Sequence, residues 1–260
     1  MLKLQETRIL YVPGMLLIFV TGLIVRGSNM SRMYNHARTW NPFVGCLFDC
    51  VYCRPSFQRQ LMRQKQRCLL CYYYLPHYHP ERLKRIPNSK IVFVCGCGDI
   101  SWCSPKFVKK IIERIKEHNK RCPDKIYYFQ SKDPACFSPF LDEFPENVFL
   151  LTTLETNRDK GYMLISHAPM PSVRFERFLN LDYPRKALTI EPIMDFDLPV
   201  FLSWIKQIKP KFVYVGYNSR PKQVKIPEPP LSKTLKLIEE LEKFTKVYRK
   251  DLRGGENGLR

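Results

Sequence analysis

Ile91-Val-Phe-Val-Cys-Gly-Cys-Gly-Asp99, followed by the amphipathic run Pro105–Asn119, is the stretch that decides the fold. A short apolar run that breaks at glycines reads as a strand, and the longer run opened by a proline reads as a helix. The same pair recurs down the chain: 125–130 then 134–144, 148–154 then 172–181, 187–190 then 198–208, 212–215 then 232–246. Short strands alternating with helices imply βα units and a parallel sheet. Pro105 and Pro199 mark helix starts, and Gly216-Tyr-Asn-Ser-Arg-Pro221 marks the turn after the last strand. Counting a first, cysteine-bearing unit upstream, the expectation is an α/β fold: a partial (βα)6 TIM-like barrel of parallel strands with helices outside. In such folds chemistry sits at the carboxyl ends of the strands.

Outward from this core, three regions are expected: an apolar extension over 1–33, the barrel over 34–220, and a Pro-rich linker, helix and basic tail over 221–260. Residues 9–25 are uncharged, lie between Arg8 and Arg26, and are interrupted by Pro13, Gly14 and Gly22. That stretch reads as a packed or dispensable extension, as a start-site artefact ahead of Met30 or Met33, or as a membrane anchor. The 260 residues carry 43 Lys+Arg against 24 Asp+Glu, a net charge of +19. With 45% hydrophobic and 13% aromatic residues, a sizeable core is affordable, which excludes disorder, collagen-like repeats and a disulfide-stapled mini-protein. The charge itself suits a surface that meets phosphate.

Ten cysteines cluster between Cys46 and Cys136 rather than spreading along the chain to bridge distant segments. Close groups are what metal sites require, so a reducing, cytoplasmic setting is expected. Cys46-Leu-Phe-Asp-Cys50-Val-Tyr-Cys53 presents three thiols on one tight loop, enough for three irons of a cubane cluster with the fourth left open. The competing reading is a closed zinc site completed by His36 or Cys68.

Cys46, Cys50 and Cys53, with Tyr52 before the third cysteine, resemble the C-x3-C-x-aromatic-C loop of the radical S-adenosylmethionine superfamily. The segment 91–99 is similar to that family's second strand and its Gly-Gly-Glu-like element. Thr39-Trp-Asn-Pro42, Phe129-Gln-Ser-Lys132, Thr153-Leu-Glu155 and Ile190-Glu-Pro192 resemble an uncharacterised phage and prokaryotic branch related to spore photoproduct lyase. The resemblance implies a [4Fe–4S] cluster on the three cysteines, bound S-adenosylmethionine, and a reduced electron donor of the ferredoxin or flavodoxin type. It further implies Tyr52 beside the adenine, and Gly96, Gly98 and Asp99 at the methionyl end. Glu155 would take the ribose hydroxyls, and Glu191 would reach cofactor or substrate. The plainer alternatives are that Asp99 caps the following helix and that Glu155 is a solvated loop acid. Glu191 is held extended before Pro192 and needs a partner, for which Lys132 is a candidate.

Cys68-Leu-Leu-Cys71 followed by His77 and His79 is a candidate zinc set, or else Cys68 and Cys71 are small packing residues. Cys95 and Cys97, on one side of an extended strand, and Cys103 beyond them admit a second cluster with Cys68 and Cys71, a hydrogen-returning thiol, or packing. Cys122 and Cys136 read as structural. From Arg54 to Arg85 eight Lys/Arg face one acid, Glu81, a net +7 in 32 residues. Arg59, Arg63 and Arg67 recur every four positions, as on one helix face, and the aromatics Tyr72, Tyr73, Tyr74 and Tyr78 follow. That pattern suits a nucleic acid or nucleotide partner, with a solvated helix as the alternative. The non-enzymatic alternative for the whole chain is a zinc-stabilised nucleic-acid-binding protein.

Overall fold

The computed structural model describes residues 37–250 and 252–253. Its main sheet contains β1 (Ala37–Trp40), β4 (Ile91–Val94), β5 (Ile126–Gln130), β6 (Val148–Thr153), β7 (Lys186–Ile190), β8 (Phe212–Val215) and β9 (Lys246–Arg249), hydrogen-bonded in that order. Every pairing in it is parallel. The sheet closes only partially, through 192°, with helices packed outside, which is the expected half-barrel. A separate antiparallel pair joins β2 (Phe43–Val44) to β3 (His77–Tyr78).

Helix α1 (Pro105–Asn119) follows β4, α2 (Pro171–Leu179) follows β6, α3 (Leu198–Ile208) follows β7, and α4 (Leu231–Glu242) follows β8. Each has a one-sided apolar stripe. In α1 the stripe is Phe107, Val108, Ile111, Ile112 and Ile115, buried against Val92, Val94, Tyr127 and Phe129 in one core. Ile111 has no exposed surface, so truncation to alanine there would cost about 2–5 kcal/mol.

Seven strands, not six, form the sheet. β1 lies ahead of the cysteine loop, where the sequence delimits no strand; its burial runs half-buried, exposed, exposed, buried, without the alternation that marks a strand. At the other end α4 stops at Glu242, and the chain that was expected to remain helical to Lys246 re-enters the sheet as β9. The β-branched and aromatic Val247 and Tyr248 favour that strand. Between β5 and β6 the crossover is the 3-10 segment Pro134–Phe140, because Pro139 inside it cannot sustain an α-helical ladder.

The basic segment after the cysteine loop is not one regular helix. Arg54–Gln58 is a π turn, Arg59–Leu61 a single α turn and Met62–Gln64 a 3-10 turn, after which Arg67 lies in a non-helical turn. Residues per turn change at each step, so four-residue spacing does not align Arg59, Arg63 and Arg67 on one face. All three are exposed. Among the described residues no helix is long and apolar enough to cross a membrane; the apolar stretch 9–25 lies outside them.

Candidate cofactor and metal sites

The loop carrying Cys46, Cys50 and Cys53 leaves β2 through Gly45, whose φ of 102° favours glycine. Space also demands it, since a Cβ there would stand 2.2 Å from the Leu75 carbonyl oxygen. Gly45 N–H donates to the Cys97 carbonyl at 3.1 Å, and Asp99 N–H donates to the Gly45 carbonyl at 3.1 Å. Gly98 lies so close that a Cβ on it would sit 2.5 Å from the Gly45 oxygen. The two glycines thus let the cysteine loop dock on the turn after β4. Beyond Cys46 the loop is sewn to the 162–168 segment: Val51 N–H donates to the Ile165 carbonyl at 2.9 Å and His167 N–H to that of Phe48 at 2.8 Å. Phe48, Cys50, Tyr52, Tyr162, Ala168 and Met194 form an apolar cluster of their own, against which Cys46 and Cys53 pack.

The thiols sit in contrasting fields. Cys50 is drawn down to about 5, first by its hydrogen bond with Cys53 and then, against burial, by Lys132 and the Ser166 hydroxyl. Its Sγ lies 3.1 Å from Ser166 Oγ and accepts from Lys132 Nζ at 3.3 Å. Burial, with Asp99 nearby, pushes Cys46 up, and the bond to Cys50 with burial pushes Cys53 up.

Beside the loop lies a buried charge network. Glu155, just past β6, is fully buried, which replaces the solvated-acid reading. Its Oε1 accepts from Tyr52 at 2.5 Å, from Lys132 at 2.5 Å and from Tyr162 at 3.1 Å. Burial opposes its charge, yet Arg174 and Lys132 override that penalty and hold it at about 2. Arg174, on α2, is also fully buried and donates through Nη1 to the Thr153 carbonyl. Nη1 stands 2.7 Å from Glu155 Oε2, an ion-pair contact without hydrogen-bond geometry; among the described residues Glu155 Oε2 and Arg174 Nε and Nη2 have no hydrogen-bond partner. Orphaned donors and an acceptor of this kind, next to three thiols at the carboxyl ends of the strands, fit a polar ligand beside a metal cluster.

Asp99 does cap: its carboxylate accepts from Ser101 N–H at 3.0 Å, and it further takes Ser101 Oγ, Ser131 Oγ and Lys132 N–H. It ties the end of β4 to the end of β5, and burial nevertheless raises its pKa. Gly96 abuts Phe93, where a Cβ would stand 2.5 Å from a ring carbon. Glu191 pairs with Lys250 at 2.7 Å and not with Lys132, whose ammonium belongs to Glu155. That partner arrives only with the residue following β9.

Cys68, Cys71, His77 and His79 come together: one ligand atom from each lies within 4.8 Å of all the others. Cys68 is therefore engaged here rather than as a fourth ligand to the cysteine loop, and His36 lies outside the described residues. Cys95, Cys97 and Cys103 do not join this group. β4 ends at Val94 and Cys95 takes φ 55°, so Cys95 and Cys97 do not share one side of an extended strand. Cys95 and Cys103 pack in the main core, while Cys97 is half-buried with its N–H on Asn41 Oδ1 at 3.0 Å.

Arg174, Tyr162 and Ser166 were not read from the sequence. Arg174 had a legible signal, since it shares the helix face of Pro171, Phe175 and Phe178, where a charge needs a buried partner.

No protein-family model and no curated relative matches this sequence. Among solved structures, a doubly substituted spore photoproduct lyase with bound AdoMet and dinucleoside spore photoproduct is similar at TM-score 0.57 and 13% identity, over 82% of this chain and 76% of that one. Spore photoproduct lyase complexed with dinucleoside spore photoproduct is similar at TM-score 0.55 and 12% identity, with the same coverages. Streptococcus suis SuiB bound to its precursor peptide SuiA is similar at TM-score 0.51 and 10% identity, over 82% of this chain and 48% of that one. At these identities the likeness is one of fold, which this chain shares with spore photoproduct lyase.

Proposed function

We propose that this chain is a radical S-adenosylmethionine enzyme. The observation that carries the reading is the convergence of Cys46, Cys50 and Cys53 with the buried Glu155–Lys132–Arg174 network at one end of the half-barrel. Bound by the three thiols, a reduced [4Fe–4S] cluster would supply the electron that cleaves S-adenosylmethionine to methionine and a 5′-deoxyadenosyl radical. Tyr52 and Glu155 offer an aromatic face and a carboxylate for the nucleoside, and the unpartnered nitrogens of Arg174 offer donors. Lys132 and Ser166 hold negative charge on Cys50, and Phe48, Tyr162 and Met194 exclude water from the loop. Arg59, Arg63 and Arg67, exposed on the flank of this loop, favour a nucleic acid or nucleotide as the molecule that loses the hydrogen atom. A ferredoxin- or flavodoxin-type protein would deliver the electron.

Protein purified and reconstituted without oxygen is expected to be brown, to hold about four irons on this loop, and to release 5′-deoxyadenosine when reduced with S-adenosylmethionine. Colourless, iron-free protein that leaves S-adenosylmethionine intact would remove the reading.

A second reading has its own observation. The ligand atoms gathered for a single ion are those of Cys68, Cys71, His77 and His79, not those of the cysteine loop. On that geometry a zinc-stabilised nucleic-acid-binding protein without catalysis is the better-supported alternative, and it predicts air-stable, colourless protein with zinc and salt-sensitive polynucleotide binding.

A further inference from the structure

Cys68 opens the short helix Leu69–Tyr72, and its Sγ accepts from Cys71 N–H at 3.5 Å, which sets the two thiols side by side. The chain then reverses through Tyr74, at φ 58°, and β3 presents His77, with His79 two residues on and therefore on the same side. Cys71 Sγ stands 3.3 Å from His77 Nε2 and 3.2 Å from His79 Nε2; Cys68 Sγ stands 3.4 Å from His77 Nε2. The two Nε2 atoms are 2.8 Å apart.

What the far side of each ring touches decides what these nitrogens carry. His77 Nδ1 lies 2.7 Å from the Leu75 carbonyl, and His79 Nδ1 lies 2.9 Å from Glu81 Oε1. Carbonyl and carboxylate oxygens only accept, so both Nδ1 atoms donate, and both Nε2 atoms are left to face inward with lone pairs. Outward hydrogen bonds of this kind orient imidazoles that bind metal. Two Nε2 lone pairs facing each other at 2.8 Å repel unless a cation stands between them.

Two sulfurs and two nitrogens around one point suit tetrahedral zinc. Bonds of about 2.3 Å to sulfur and about 2.0–2.1 Å to nitrogen give edges of about 3.3–3.8 Å between ligand atoms. The sulfur–nitrogen separations of 3.2, 3.3 and 3.4 Å lie near that range, and the two Nε2 atoms, at 2.8 Å, would move apart by about 0.5 Å to admit the ion. A two-iron cluster would divide cysteines and histidines between separate metals, whereas here one cysteine lies against both histidines.

The surroundings say what such an ion would do. No residue of the turns from Arg54 to Gln64 is buried, so this part of the excursion over 54–85 has no core of its own. Segments short of core are the ones metals stabilise. The same excursion touches the cysteine loop: Cys46 N–H donates to the Tyr74 carbonyl at 3.2 Å, and β3 pairs Val44 with His77.

We propose that Cys68, Cys71, His77 and His79 bind one zinc ion, and that this ion staples the 54–85 excursion against the strand and loop that present Cys46. The zinc assignment stands independently of iron or S-adenosylmethionine at the cysteine loop.

The test is metal analysis of the full chain purified without oxygen, beside a Cys46→Ser/Cys50→Ser/Cys53→Ser variant and the separate variants Cys71→Ser and His79→Gln. About one zinc per chain is expected in the wild type and the triple variant, falling about tenfold in each of the other two. Cobalt added to the zinc-stripped triple variant should give the visible spectrum of a tetrahedral sulfur–nitrogen site. Chelation should speed tryptic cleavage at Arg59, Arg63 and Arg67 about tenfold, as the excursion loosens. Zinc-free wild-type protein that takes up no cobalt would overturn the site. So would zinc that survives Cys71→Ser and is lost from the triple variant, which would place it on the cysteine loop. Zinc bound as expected but with unchanged cleavage would overturn the staple. Iron absent while zinc behaves as described would sink only the radical-enzyme reading.

Discussion

Lys132 Nζ lies 2.5 Å from Glu155 Oε1, although the two residues leave different strands and the carboxylate has no exposed surface. With Arg174 on the other oxygen, one buried acid holds two cations, Arg174 fully buried and Lys132 largely so. Removing it leaves both uncompensated. Glu155→Ala should therefore cost about 3–5 kcal/mol of unfolding free energy, whereas a buried pair replaced as a unit costs less. Urea denaturation checks this, with Glu191→Ala, whose pair with Lys250 is partly exposed, losing clearly less.

The same carboxylate sets an acid limit. Its folded pKa, about 2, lies below its ordinary value of 4.5 because Arg174 and Lys132 outweigh burial. A depressed acid stabilises the fold above its unfolded pKa, and that contribution is lost as pH falls from 4.5 toward 2. Asp99, raised by burial, has the opposite sign and partly offsets the loss. Melting temperature followed down this range should fall steeply in the wild type and less steeply in Glu155→Gln.

Cys50 is the thiol most strongly held as thiolate, near 5. If the proposed radical chemistry and zinc site hold, Cys50→Ala abolishes brown colour and 5′-deoxyadenosine release and leaves zinc content unchanged, read by absorbance, product assay and metal analysis. Iron and cleavage that persist in this variant would exclude Cys50 as a ligand.

Gly98 and Gly161 separate crowding from backbone conformation. A Cβ on Gly98 meets the Gly45 backbone at 2.5 Å, whereas Gly161 has φ 79° and open space around it. Gly98→Ala should cost about 1–3 kcal/mol and lower iron loading, because the cysteine loop must shift. Gly161→Ala should cost about 1 kcal/mol with loading unchanged. Equal iron loading in both variants would argue against the Gly45–Gly98 contact as the seat of the loop.

Arg59→Ala with Arg63→Ala should weaken polynucleotide binding and flatten its dependence on salt by a slope of up to about two, one per lost phosphate contact. A titration at several salt concentrations reads this directly, and an unchanged slope would move the binding surface elsewhere.

Local pattern was enough to find the strand–helix alternation from Ile91 onward, because a short continuous apolar run and a stripe of period 3.6 are written in adjacent residues. Helices Pro105–Asn119 and Leu198–Ile208 coincide with their expected bounds for that reason. β1 and β9 were not legible: each is four residues long, and each becomes a strand by pairing with a neighbour distant in the chain. The aligned arginine face failed on a different ground. Spacing by four implies a face only if the helix stays α, and here it passes through π, α and 3-10 turns.

Sequence alone determined which residues can hold metal, since thiols and imidazoles at close spacing are a chemical fact needing no coordinates. It also determined the order of the βα units, which follows from local periodicity. Only the tertiary structure decided how these cysteines are apportioned: three in the loop beside Glu155, two with His77 and His79, Cys95 and Cys103 into the core with Cys136 packed against it, and Cys97 and Cys122 half-buried. It decided as well that Lys132 serves Glu155 and that Lys250 serves Glu191. Partners across strands are set by register and crossover, and a buried charge takes whichever opposite charge the sheet brings within reach.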